Sequence, residues 1–175
     1  MINEIIKRNG VTYGILTGVF SAVFTATIYA VNINLFTSLW LGLSSIAFYL
    51  IISIVLLSKT KKELNGHFSF KEAFTTYFIC SLIGILIGTT FNILLFNVID
   101  PSAQDTVKEL TIKSAVETMQ KFNTPAAAIN EAIANMKENN PYSTTGLIKG
   151  SLSSLVFSSI IGLIIAAFFK SKSQE

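Results

Sequence analysis

Charge is what this chain has least of. Of its 175 residues only 13% are Asp, Glu, Lys or Arg, where a water-soluble domain usually carries about 25%. The deficit is concentrated: Asn9 to Ser58 is a run of 50 residues without one charged side chain, and Ala73 to Ile99 is another of 27. A helix crosses the hydrocarbon core of a bilayer with roughly 20 apolar residues. Runs of this kind exclude a soluble enzyme, a disulfide-stapled secreted domain and a reader of nucleic acid. Cysteine is nearly absent as well. The lone Cys80 has no partner for an internal disulfide or a cysteine-based metal cage, and it reads as a small core residue. Histidine is represented only by His67, and one imidazole without neighbouring ligands makes a poor metal site. No span carries Asp, Glu, Lys, Arg or His at mid-depth, which removes proton relays, ion-coupling carboxylates and embedded acid–base pairs. The serines are many, but none sits in a nucleophile elbow. No cofactor and no metal is expected.

What is present is 51% hydrophobic residues and a mean hydropathy of +0.59. The pattern predicts an all-α membrane protein, one domain over residues 1–175, with four transmembrane helices at about Gly10–Val31, Phe36–Ser58, Ala73–Ile99 and Gly146–Phe169. At about 1.5 Å per residue each is longer than a core of about 30 Å, so the helices tilt. The first is longer than a signal-peptide core and lacks a small-residue exit, so it is expected to remain as an anchor. Asn32 to Leu35 is too short for anything but an antiparallel hairpin, and Asn65-Gly66 marks a turn in the second connection.

The net charge of +3 suggests a nucleic-acid partner only until the charges are located. Eight of the 13 basic residues (Lys7, Arg8, Lys59, Lys61, Lys62, Lys71, Lys170 and Lys172) fall with the termini and the Lys59–Glu72 connection, against four acids. Five, Lys108, Lys113, Lys121, Lys137 and Lys149, fall on the other side with six acids. The asymmetry predicts that both termini lie in the cytoplasm. Lys149, inside the first turn of the fourth span, must snorkel to the interface.

Between the third and fourth spans lies an extracytoplasmic insert, residues 102–140, predicted as two amphipathic helices. Asp100-Pro101 ends the third span and caps the first helix of the insert, since proline cannot continue a hydrogen-bond ladder but suits a first helical position. Val107/Leu110 and Ile112/Ala115/Val116/Met119/Phe122 give helical spacing. Thr124-Pro125 repeats the cap-plus-proline start, and Ile129, Ile133 and Met136 line one face as far as Asn139-Asn140-Pro141. The pair is an interaction surface or a lid over the bundle's mouth. At the start of the third span, Ser69 and Glu72 have the spacing of a capping box.

Packing signals are the strongest positive feature. Small residues recur every fourth position in the last span (Gly146, Gly150, Ser154, Ser158, Gly162, Ala166), in the first (Gly10, Gly14, Gly18) and in the third (Gly84, Gly88, with Ser81 and Asn92 on the same face). Such strips let helix backbones approach closely. The last span is expected to pack through Ser154, Ser158 and Gly162 on the glycine face of the first or third. Asn92 is expected to be interhelical hydrogen-bonding glue rather than a substrate contact.

The segment Phe-Ser-Phe-Lys-Glu-Ala-Phe (Phe68–Phe74), the Ile99-Asp100-Pro101 step, the glycine-rich first span and the helical insert before the last span resemble domain-of-unknown-function family 4199. These are small multi-span membrane proteins found mainly in Bacteroidetes. The resemblance covers almost the whole chain and implies an envelope protein with no assigned activity and no catalytic residue to transfer. The residues therefore point to a non-enzymatic scaffold or partner subunit. Its surroundings would be the lipid bilayer and a membrane-protein partner or further copies of itself, with no nucleic acid and no known small-molecule substrate. A small transporter or channel component acting as an oligomer is the alternative, with Thr89, Thr90 and Asn92 as its polar lining. The orientation has a direct check: a single cysteine introduced into residues 102–140 should label with an impermeant reagent on intact cells, and labelling only after lysis would reverse the topology.

Overall fold

The computed structural model describes residues 2–171, so Lys172 and Glu175, which contribute to the charge balance, lie outside the described residues. Helix α1, Glu4–Val31, starts where Asn3 Oδ1 accepts from Ile5 N at 2.9 Å. Asn32 then caps a short 3-10 turn, Ile33–Thr37, by accepting from Asn34 N at 3.0 Å. Helix α2, Leu39–Glu63, follows from Ser38. The second span thus begins three residues later than the sequence suggests, because Phe36 belongs to the 3-10 turn and packs edge-on against Phe96 at 5.7 Å.

After α2 the chain reverses through Asn65 (φ 53°) and Gly66 (φ 83°), whose N–H groups take the Lys62 and Lys61 carbonyls. This is the left-handed cap that satisfies the last carbonyls of a helix, and glycine adopts it without a Cβ penalty. Helix α3, Phe70–Leu94, opens with the full capping box: Ser69 Oγ accepts from Glu72 N at 3.2 Å, and Ser69 N donates to Glu72 Oε2 at 2.8 Å. It continues into one wide π turn, Leu95–Ile99, closed by Asp100 N on Leu95 O. Helices α4, Pro101–Lys121, α5, Ala126–Glu138, and α6, Thr144–Phe169, complete the described chain.

Four elements are long and apolar enough to cross a membrane: α1, α2, α3 with its π turn, and α6. Helix α3 is the centre. Helix α1 runs parallel to it along one side, and α6 runs antiparallel along another, while α2 returns antiparallel to α1. The start of α1, the α2–α3 turn and the end of α6 gather at one end, here the terminal end. The 3-10 turn, the π turn and α4 gather at the other, here the insert end. Large apolar side chains such as Trp40, Leu43, Ile51, Leu152, Phe157 and Ile164 face outward, as lipid-facing surface requires.

The most extensive packing joins α1 to α3. A Cβ added at Gly10, Gly14 or Gly18 would sit 2.9, 2.8 or 2.6 Å from the Cβ of Ile79, Ile83 or Ile87 respectively. In return, a Cβ at Gly84 or Gly88 would come 2.6 Å from Thr17 Oγ1 or 3.0 Å from Ser21 Oγ. Each helix therefore offers bare backbone where the other offers a branched or hydroxylated side chain. Lipid provides no hydrophobic drive between helices, so close dispersion contact of this kind is what holds them together.

Helix α6 departs from expectation. Its every-fourth-residue strip does not face α3 along its length: Gly162 and Ala166 are buried, Ser158 is half-buried, and Gly150 and Ser154 are exposed, with open space around Gly150. The reason is geometric. Four residues advance about 400° around a helix of 3.6 residues per turn, so the six positions wind through roughly 200°. The face turned inward follows Ser151, Leu155, Ser158, Gly162, Ile165 and Phe169, an alternation of three and four that stays on one side. Gly162 meets the Tyr77 ring, so the partner is the third span and not the first.

These contacts separate two substitutions. Gly14→Ala presses on Ile83 and the Cys80 carbonyl at 2.9 Å, and overpacking of this sort costs about 1–3 kcal/mol. Gly150→Ala meets nothing and gains helix propensity of about 1 kcal/mol. Thermal unfolding in detergent should show a lower midpoint for the first and an equal or higher one for the second.

Candidate functional site

Among the described residues, side-chain hydrogen bonds between helices fall in three places. The middle of the bundle holds a short chain in which Tyr77 OH and Ser158 Oγ lie 3.0 Å apart and Ser158 Oγ donates to Ser81 Oγ at 3.0 Å. It pins α6 to α3, but it is one helical turn deep and leads nowhere. Thr90 is tied back to Leu86 O within its own helix. Asn92, expected to bridge helices, is half-buried and makes no side-chain hydrogen bond among the described residues.

At the terminal end, Asn9 is 3% exposed and donates to Thr60 Oγ1 at 3.2 Å and Glu63 Oε2 at 3.0 Å, and Arg8 Nη2 reaches the same carboxylate oxygen at 2.6 Å. Lys61 Nζ donates to Phe169 O at 3.0 Å, satisfying the end of α6. Beyond it, Ser171 N donates to Phe68 O at 2.8 Å while Phe68 N donates to Ser171 Oγ at 2.9 Å, and that hydroxyl also donates to Gly66 O. These clasps surround an apolar cluster of Leu57, Phe68, Ala73, Tyr77 and Ala166. His67 is exposed, and Cys80 is buried. Among the described residues no group of three or more His, Cys, Asp or Glu could hold a metal.

The insert end is the most elaborate. The π turn brings Asn97 to face the insert: its Nδ2 donates to Tyr142 O at 3.2 Å, and its Oδ1 accepts from Gln104 Nε2 at 3.0 Å and from Thr144 N at 3.1 Å. Gln104 Oε1 in turn accepts from Asn140 Nδ2 at 2.8 Å, and Tyr142 OH meets Thr111 Oγ1 at 2.9 Å. One asparagine thus ties α3, α4 and the start of α6 together. Asp100 does the same for α1 and α4. It accepts from Ser102 N at 3.1 Å and Ala103 N at 3.2 Å as the cap of α4, while its other oxygen accepts from Tyr29 OH at 2.7 Å. The Ser102 hydroxyl and then Tyr29 hold this carboxyl below the usual carboxylate range. Beneath the network, Leu95, Phe96, Ala103 and Val107 form a second core with Tyr29, Phe36 and Tyr142 packed on it.

Helix α4 is therefore seated on the mouth of the bundle, whereas α5 rests on α4. Two expectations are corrected here. Thr124 does not cap α5: the residue before that helix is Pro125, with no side-chain cap bond, and Thr124 N instead donates to Met119 O beside the left-handed Asn123 (φ 53°). The pair Asn123 and Thr124 thus closes α4, a helix-ending motif that a Thr-Pro signature conceals. Phe122, expected on the apolar face of α4, sits at its C-cap and is 81% exposed. Sequence reasoning missed Asn9 and Asn97. Each is an amide at the edge of an apolar run, Asn9 buried and Asn97 half-buried, and that position was the available signal, since an amide withdrawn from water requires partners.

The Asp100 geometry fixes a pH response. A carboxyl whose pKa is lower in the folded state stabilises the fold above its unfolded pKa, and that contribution disappears as pH falls through the folded value. Acidification below the ordinary carboxylate range should lower the thermal midpoint. Asp100→Ala, which also removes a helix cap of about 0.5–2 kcal/mol, should be less stable at neutral pH and lose part of that acid dependence.

No curated protein and no solved structure matches the chain. A family described as "Protein of unknown function (DUF4199)" matches residues 12–171. That range takes in the α1–α3 interlock except Gly10, together with the insert-end network and the Ser171 clasp. This all-helical chain with four membrane-span-like helices belongs to the DUF4199 family.

Proposed function

We propose that the protein is a non-enzymatic scaffold or partner subunit of the bacterial inner membrane, with both termini cytoplasmic and α4–α5 on the outer side. The observation that carries this reading is the division of the insert. Helix α4 buries Ala103 and Val107 against the bundle and shares its polar network, while α5 buries only Ile129 and is held by α4. A closure for the bundle needs α4 alone; the second helix and the exposed Phe122 form a raised platform that the bundle does not require. The body beneath supports the same reading. Among the described residues every buried side-chain nitrogen or oxygen has a hydrogen-bond partner, and the α1–α3 seam is filled to contact.

The experiment replaces residues 123–138 with a Gly/Ser linker of equal length in the full chain, leaving α4 and Asn140 in place. The variant should melt cooperatively near the wild-type temperature and lose the membrane proteins that co-purify with the wild type. Retention of those partners would sink the platform reading, and flux through reconstituted wild-type liposomes would favour transport instead.

A further inference from the structure

We infer that the α1–α2 seam at the terminal end is a binding site for an anionic phospholipid, its headgroup held by Lys59 and Arg8 and its acyl chain laid along the apolar seam below. The inference rests on the spans crossing a bilayer and does not depend on the scaffold role. On α2, Lys59 and Glu63 are one turn apart on one face; on α1, Asn9, Tyr13, Leu16 and Phe20 share a face. The two faces meet: Arg8 and Asn9 bind Glu63, Lys59 Nζ lies 5.5 Å from the centre of the Tyr13 ring, and Phe20 stacks on Phe48 at 3.6 Å between ring centres.

Two features give this seam the character of a lipid site. First, its charge is unbalanced. Glu63, the acid at its edge, is engaged by Arg8 and Asn9 through one oxygen, Oε2. Lys59 is exposed, makes no ion pair among the described residues, and sits one turn further into the apolar run than Glu63. Arg8 uses one guanidinium nitrogen on Glu63 and keeps its side chain 64% exposed, so further donors of its fork remain for a phosphate oxygen. Second, the surface directly below these cations is apolar and open: Leu16 is 47% exposed and Val55, one turn before Lys59, is 44% exposed. A cation pair above an apolar strip matches the two halves of a phospholipid, whereas a soluble anion would use only the upper half. The Tyr13 ring, 5.5 Å away, steadies the Lys59 ammonium at the terminal edge of the apolar run, where a headgroup phosphate would meet it.

The test uses the full chain in detergent, with phosphatidylglycerol or phosphatidylcholine of identical acyl chains added as probes. Bound lipid is read by native mass spectrometry and stability by thermal unfolding. Wild type should retain phosphatidylglycerol over phosphatidylcholine, and Lys59→Gln should cut that preference about fivefold, the worth of one basic residue near an anionic surface. Lys170→Gln, which removes an equal charge from the end of α6, should leave it unchanged. Among the described residues Lys59 makes no hydrogen bond or ion pair, only its contact with the Tyr13 ring, and the unfolding curve without lipid verifies that Lys59→Gln is folded. Equal retention of the two lipids overturns the assignment, as does an equal loss in both variants, which would mean diffuse surface charge. Stabilisation by inorganic phosphate as large as by phosphatidylglycerol overturns it too, because the acyl seam would then contribute nothing.

Discussion

The backbone-to-isoleucine interlock of α1 and α3 is the contact on which the rest of this bundle depends. In a bilayer, withdrawing an apolar side chain from lipid gains little, so two helices stay together only if they touch more closely than lipid touches either. Gly10, Gly14 and Gly18 allow this by leaving room for the branched carbons of Ile79, Ile83 and Ile87, and Gly84 and Gly88 answer with room for Thr17 and Ser21. Isoleucine suits the role because its branching at Cβ fixes the side chain and little rotamer entropy is lost on docking. Once α3 is fixed in this way, its adjoining face at Tyr77 and Ser81 becomes the floor for α6.

Packing in the middle and hydrogen bonding at the ends divide the work between them. Dispersion contacts have no preferred register beyond shape, whereas the clasps at the two ends are directional. At the terminal end, Asn9 with Thr60 and Glu63 sets α1 against α2, and Ser171 with Phe68 sets the end of α6 against the α2–α3 turn. At the insert end, Asn97 and Asp100 set α4 against three membrane helices. The π turn at Leu95–Ile99 makes this possible: one widened turn shifts the phase of the helix, so Leu95 and Phe96 are buried while Asn97 addresses α4 and α6.

The sequence was most legible where a single helix decides the outcome. The absence of charge gave the four spans, and the Ser69–Glu72 spacing gave the cap, because a capping box closes within four residues. Asp100-Pro101 gave the start of α4 for the same reason. Thr124 misled because two local motifs compete for it, and the one that closes α4 depends on the backbone of Asn123, which residue type does not specify. The family was readable too, since its short motifs lie in the regions that hold α3 and the insert together.

Hydropathy, charge balance and capping chemistry are properties of one segment in its solvent, so the sequence by itself determined the spans, most of their limits and the glycine faces. Which glycine face meets which helix is a property of two segments. Gly10, Gly14 and Gly18 could have received α6 as readily as α3 on spacing alone, and the winding of a four-residue repeat around a straight helix decided that only the Ser158, Gly162 and Ala166 part of the α6 strip is used. Likewise, only tertiary structure could turn Asn9 and Asn97 into clasps, because an amide's partners are chosen by where the other helices end and not by its neighbours in the chain.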